Sequence, residues 1–173
     1  MADFRAVAEA DPAQAADAHK NLGLAWSRQA RAAANAGGDA RPLLERSFAE
    51  FEEALRLAPQ SAESWNARAT VWGLRGDLEA ERGEDGGESF RRGIADFGEV
   101  LARRPGFVGA LSNRAALHCR LGEIQAERGE DPATSWRAAT EDLDEVVKRA
   151  PDQPLARMQR GGLAIKLAEI EAA

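Results

Sequence analysis

The six residues Ala80-Glu81-Arg82-Gly83-Glu84-Asp85 return letter for letter, 46 residues later, as Ala126-Glu127-Arg128-Gly129-Glu130-Asp131. Pro59, Pro105 and Pro151 keep the same spacing, as do Arg68, Arg114 and Arg160. Laid without a gap on residues 107–152, residues 61–106 share 16 of 46 positions, among them Gly76/Gly122, Asp96/Asp142, Glu99/Glu145 and Val100/Val146. A period of this length marks a duplicated supersecondary unit that buries its apolar surface against its neighbours. Residues 15–60 fit the frame more loosely, through Trp26/Trp72, Ala34/Ala80, Gly37/Gly83, Asp39/Asp85, Phe51/Phe97 and Leu55/Leu101. The chain of 173 residues therefore reads as one solenoid, with no single central core.

Ala, Leu, Glu and Arg are abundant and no strand-like run appears, so each unit is expected to be helical. The first unit reads as a helix from about Ala13 to Asn35, a break at Gly37-Gly38-Asp39, and a helix from about Arg41 to Leu57. Glycine just past a helix end takes the left-handed conformation that closes it, and a neighbouring Asp caps the amides of the helix that follows. The pair recurs as Gly83/Asp85 and Gly129/Asp131; Asp85 and Glu88 have capping-box spacing, and Pro132 is expected in a first turn. The repeated hexapeptide is thus read chiefly as punctuation, with a charged binding site as the other reading.

Second helices carry an apolar stripe at steps of four, three and four: Leu44, Phe48, Phe51, Leu55; then Phe90, Ile94, Phe97, Leu101; then Trp136, Thr140, Leu143, Val147. Each ends at Pro59, Pro105 or Pro151, whose ring cannot continue a helix. First helices set a bulky, a small and another bulky or ring residue in line: His19, Gly23, Trp26; Trp65, Ala69, Trp72; and Leu111, Ala115, His118. Residues 3–12 look like the tail of a further unit and are expected to cap the first. Residues 153–173 read as a last first-type helix.

These residues resemble the tetratricopeptide repeat (TPR) family, which places an aromatic, a small residue and an aromatic on helix A, a glycine in the turn, and a proline after helix B. Those slots hold Trp65, Ala69, Trp72, Gly76, Phe97 and Pro105, then Leu111, Ala115, His118, Gly122, Leu143 and Pro151. The family's unit is about 34 residues, so this would be a variant with lengthened 46-residue repeats. Either both helices are longer and Gly76 and Gly122 lie inside helix A, or the chain breaks there into a short extra helix. The resemblance implies an all-α, right-handed superhelical α-solenoid of antiparallel helix pairs over residues 1–173, with repeats at 13–60, 61–106 and 107–152 and flanking half-repeat helices.

It also implies a non-enzymatic protein–protein interaction scaffold that holds a peptide or helix of another protein in a concave groove lined by the A helices. Carried over by position, the groove residues are Lys20, Leu24, Ser27 and Arg28; Asn66, Thr70 and Leu74; Ser112, Ala116, Cys119 and Arg120; and Met158. A subset of the family grips a C-terminal carboxylate with Lys and Asn one turn apart on the first A helix. Lys20 fits the first slot, but Leu24 stands where Asn would be, and Asn66 and Ser112 bring no positive charge, so capture of a chaperone tail is not expected.

A net charge of −6 argues against a general nucleic-acid binder. No window is long and apolar enough to suggest a membrane partner, and the lone Cys119 gives no disulfide, so a cytoplasmic protein is expected. His19 and His118 fall in framework slots, and His118 points about 100° away from Cys119 around a helix, so no catalytic pair forms. No Cys/His cluster has metal spacing, and no cofactor is expected. The arginines at 68, 114 and 160 either invite an anion or pair internally with Asp96/Asp142 and Glu99/Glu145; duplicated contacts favour the internal pairs. The alternative to a groove binder is a self-associating building block, a homo-oligomer joined end to end through its terminal half-repeats. Leu163, Ile165, Leu167 and Ile170 lie on a last helix with no B helix after it, whereas Lys166, Glu169 and Glu171 suit a polar-faced cap.

Overall fold

The computed structural model of the protein describes residues 11–172. Among them are seven helices: α1 (Pro12–Asn35), α2 (Arg41–Leu57), α3 (Ala62–Glu81), α4 (Gly87–Arg103), α5 (Val108–Glu127), α6 (Ala133–Arg149) and α7 (Pro154–Glu171). They pack in adjacent pairs, α1 on α2, α3 on α4 and α5 on α6, and each pair leans on the next, with α7 against α6. The result is an all-α, TPR-like solenoid. The expected N-terminal capping helix lies outside the described residues apart from Asp11 and Pro12, which open α1 instead. Asp11 Oδ1 accepts from the backbone N–H groups of Ala13 and Gln14.

Each A helix is closed by its glycine. Gly37, Gly83 and Gly129 have φ of 75°, 73° and 72°, and the N–H after each bonds a carbonyl five residues back, as Glu84 does to Glu79 at 2.8 Å. This left-handed closure satisfies carbonyls that a helix end leaves open. The aspartates then act from just outside the next helix: Asp39, Asp85 and Asp131 accept from the N–H two residues on, at 3.0, 2.8 and 2.9 Å. Two expectations are corrected here. Asp85 and Glu88 form no capping box, because Gly86 is the N-cap and Glu88 pairs with Arg92 and Arg91. Pro132 is likewise the N-cap of α6 and stands one residue before its first turn. B helices end where proline predicts, with Ala58, Arg104 and Ala150 at φ near the extended region (−136°, −132°, −133°).

Helix A runs unbroken through Gly76 and Gly122. A helix-interior glycine ordinarily costs about 0.5–1 kcal/mol against alanine, and packing supplies the reason for keeping it. A Cβ on Gly76 would sit 2.5 Å from Phe90 Cε1, and one on Gly122 would run into the Trp136 indole. The bare backbone lets the B-helix ring lie directly on helix A. In the first unit the same slots hold Ala30 and Leu44, a larger residue facing a smaller one.

A buried clamp repeats beside these contacts. Arg68 donates to both carboxylate oxygens of Asp96 at 2.7 and 2.8 Å, and Arg114 to both of Asp142 at 2.8 and 2.6 Å. Burial pushes the Asp96 carboxyl up against the pull of Arg68, while the hydrogen bonds that Arg114 donates to Asp142 hold its guanidinium above its usual range. The glutamates take no part in the clamp: Glu99 pairs with Arg103, and Glu145 with Arg149 and Lys148. Arg160 bonds Asp144 on the surface. In the first unit Leu22 replaces the arginine, and His19 Nδ1 lies 2.7 Å from Glu50 in the acid slot. Asp96→Ala strands the Arg68 guanidinium, so a loss of about 3–5 kcal/mol is expected in urea denaturation, with most of it recovered in the double variant Arg68→Met, Asp96→Leu. A loss of under about 1 kcal/mol would place the pair among surface salt bridges.

Candidate functional site

Placing the seam with helix B on one side of α1, α3 and α5 leaves the other side to the neighbouring helices and to solvent. Among the described residues, two hollows open along α1, α3 and α5. The first, about 300 Å³, lies between α1, α3 and the α4–α5 linker and is lined by Lys20, Leu24, Glu63, Asn66, Thr70, Arg104 and Phe107, with Ala62 and Ala67. The second, about 280 Å³, lies between α3 and α5, with Arg31, Thr70, Leu74, Asp77, Asn113 and Ala116 along it and Gly73, Phe97 and Leu117 among its other lining residues. Thr70 belongs to both, so the hollows are continuous across one exposed residue.

Six of the sequence-derived positions meet here: Lys20, Leu24, Asn66 and Thr70 in the first hollow, then Leu74 and Ala116 with Thr70 in the second. Ser27 is 6% exposed and donates to Leu24 O at 2.9 Å, which spends its hydroxyl on its own helix. Arg28 is exposed, Ser112 half-buried and Met158 exposed, and all three line neither hollow. Arg120 is tied to Asp77 and Glu123. Cys119 packs against the third apolar cluster, and burial pushes its thiol up, which makes it a poor nucleophile. Reading by position missed Arg104 and Phe107, since the proline linker looked like punctuation only, and Arg31, one turn beyond Arg28.

Charge in the groove is largely neutralised from within. Lys20 Nζ bonds Asp17 at 2.7 Å, Arg104 bonds Glu63, Arg31 bonds Glu81 at 3.2 Å and Arg120 bonds Asp77 at 3.2 Å. Between these rims the floor is apolar, formed by Leu24, Ala67, Phe107, Leu74 and Leu117. Asn66 Oδ1 is buried in the same wall without a hydrogen-bond partner among the described residues.

His118, half-buried on α5, has its Nδ1 without a partner among the described residues. Burial pushes its imidazole below the ordinary value, with Arg114 adding to the effect against Asp142 and Glu141.

No protein-family model matches the chain, and no curated protein matches it. Among solved structures it is similar to the first TPR of Spaghetti (RPAP3) bound to HSP90 peptide SRMEEVD, with a TM-score of 0.54 and 13% identity. The match covers 86% of this chain and 98% of that one. At this identity the likeness is one of fold: a TPR-like array of helix pairs. Among the described residues, no helix is long and apolar enough to cross a membrane.

A histidine held neutral by folding makes acid unfavourable. As pH falls through about 6.5, the unfolded chain takes up the His118 proton before the folded chain does, so stability drops. His118→Leu is therefore expected to flatten the pH dependence of the urea midpoint between about pH 7 and 5. An unchanged slope would show that His118 titrates alike in both states.

Proposed function

We propose that this chain is a non-enzymatic interaction module that holds a peptide or helix of a partner protein along α1, α3 and α5. One observation carries the reading: two adjoining hollows with apolar floors and charge-paired rims, joined at Thr70. A ligand of this shape gains by burying apolar side chains in each hollow, while fixed polar groups set its register. The fold likeness to a TPR solved with a peptide supports the same class of partner. The lengthened 46-residue repeat makes the A helices longer and so extends the groove. The carboxylate-gripping mode finds less support, because Lys20 already bonds Asp17 and its neighbour one turn on is Leu24.

Peptides selected from a random display library on the full chain test this directly. Selected peptides are expected to lose at least about tenfold in affinity, or about 1.4 kcal/mol, on Thr70→Trp, which fills the bridge between the hollows from an exposed position. Peptides whose binding ignores Thr70→Trp and Leu24→Glu would place the binding surface elsewhere.

A further inference from the structure

Helix α7 exposes Leu155, Met158 and Ile165, by 58%, 69% and 64%. In the repeat frame Ile165 occupies the slot of Gly73 and Cys119. That slot faces the next A helix: a Cβ on Gly73 would sit 2.9 Å from Leu117 Cδ2, and Cys119 packs in one cluster with Leu163, which follows Leu117 by 46 residues. The second and third internal junctions therefore set a small residue against a leucine, and at the first the same slots hold Ser27 and Val71. At the ends the sizes are exchanged. Ile165 stands in the small slot of α7, and Ala25, exposed on α1, stands in the leucine slot.

A charge pair repeats alongside. Asp77 meets Arg120 at 3.2 Å and Glu123 meets Lys166 at 3.7 Å, each acid taking a base 43 residues on. At the first junction the polarity is turned round, with Arg31 on Glu81. The next acid in the series is Glu169, and the base slot of the first unit is Arg28. Both are exposed, and neither has a partner among the described residues.

We propose that the exposed face of α7 receives α1 of a second copy of this chain, head to tail. The second copy repeats the A-helix-to-A-helix side of the internal junction: its Ala25 lies against Ile165, keeping the summed volume of a small–large pair, and its Arg28 meets Glu169. Two different faces are used, so the contact is heterologous and each addition leaves a new end free, until the array closes as a ring or continues as a filament. Ala25, Arg28, Ile165 and Glu169 line neither of the two hollows.

Sedimentation velocity on the full chain, from micromolar to millimolar concentration, is the test. The mean mass is expected to rise with concentration, Glu169→Arg and Arg28→Glu each to weaken association by at least about tenfold, and an equimolar mixture of the two variants to recover it, because each then presents the other's complement. Ile165→Ala should weaken association, and Thr70→Trp should leave it unchanged. All the substituted side chains are exposed, and unchanged helical circular dichroism confirms that the variants fold. A mass that stays monomeric throughout would overturn the proposal. So would association that survives both charge reversals, or a mixture no better than its components.

Discussion

Two helices can lie against each other over many turns only if one of them yields where the other is bulky. In this chain the yielding element is the bare backbone at Gly76 and Gly122, and the bulky one is the ring of Phe90 or Trp136. Phe90 is fully enclosed and Trp136 is 6% exposed, so neither ring has an easy retreat. The contact fixes how helix A and helix B sit in depth and rotation. Once it is made, Arg68 and Arg114 fall opposite Asp96 and Asp142, and the caps at Gly83 and Gly129 close helix A at the right turn. The first unit holds Ala30 and Leu44 in the same two slots, within one apolar cluster, a larger residue on helix A and a smaller one on helix B.

The groove is a consequence of that seam. With one side of each A helix committed to its B helix, the opposite side meets the next A helix loosely enough to leave hollows at Thr70. Pairing of acids and bases between successive A helices, such as Asp77 with Arg120, ties neighbours together at the rim without filling the floor. Such exposed pairs contribute little energy individually. Asp77–Arg120 and Glu123–Lys166 keep one spacing of 43 residues, so the last two junctions share one relation, whereas Arg31–Glu81 reverses the polarity at the first.

What could be read in advance was whatever repeats locally. The 46-residue period, the Gly-x-Asp breaks and the prolines each act within a few residues of themselves, and the apolar stripes of α2, α4 and α6 follow from helical spacing alone. Gly76 was ambiguous for a physical reason: glycine both ends helices and admits close neighbours, and only the ring of Phe90 across the seam decides between the two. The Arg–Asp clamp was visible as co-spaced residues, although Glu99 and Glu145 kept the same spacing and turned out to bond their own helices. In the groove, Leu24, Asn66 and Thr70 could be placed by position. Arg104 and Phe107 could not, since they reach the first hollow from a linker whose path depends on three helices at once. Ser27 shows the converse case, a position on the right helix whose hydroxyl is satisfied by its own backbone.

The dependence of the array on its glycine–aromatic seam is tested most directly by the sign of two matched substitutions in urea denaturation. Gly98 sits inside α4 with open space where a Cβ would go, so Gly98→Ala is expected to stabilise by about 0.5–1 kcal/mol through helix propensity. Gly76→Ala brings the same propensity gain but drives a methyl group into Phe90, and a net loss of about 1–3 kcal/mol is expected. A gain at Gly76 equal to that at Gly98 would contradict the account, because it would mean that the ring moves aside freely and the seam does not set the packing.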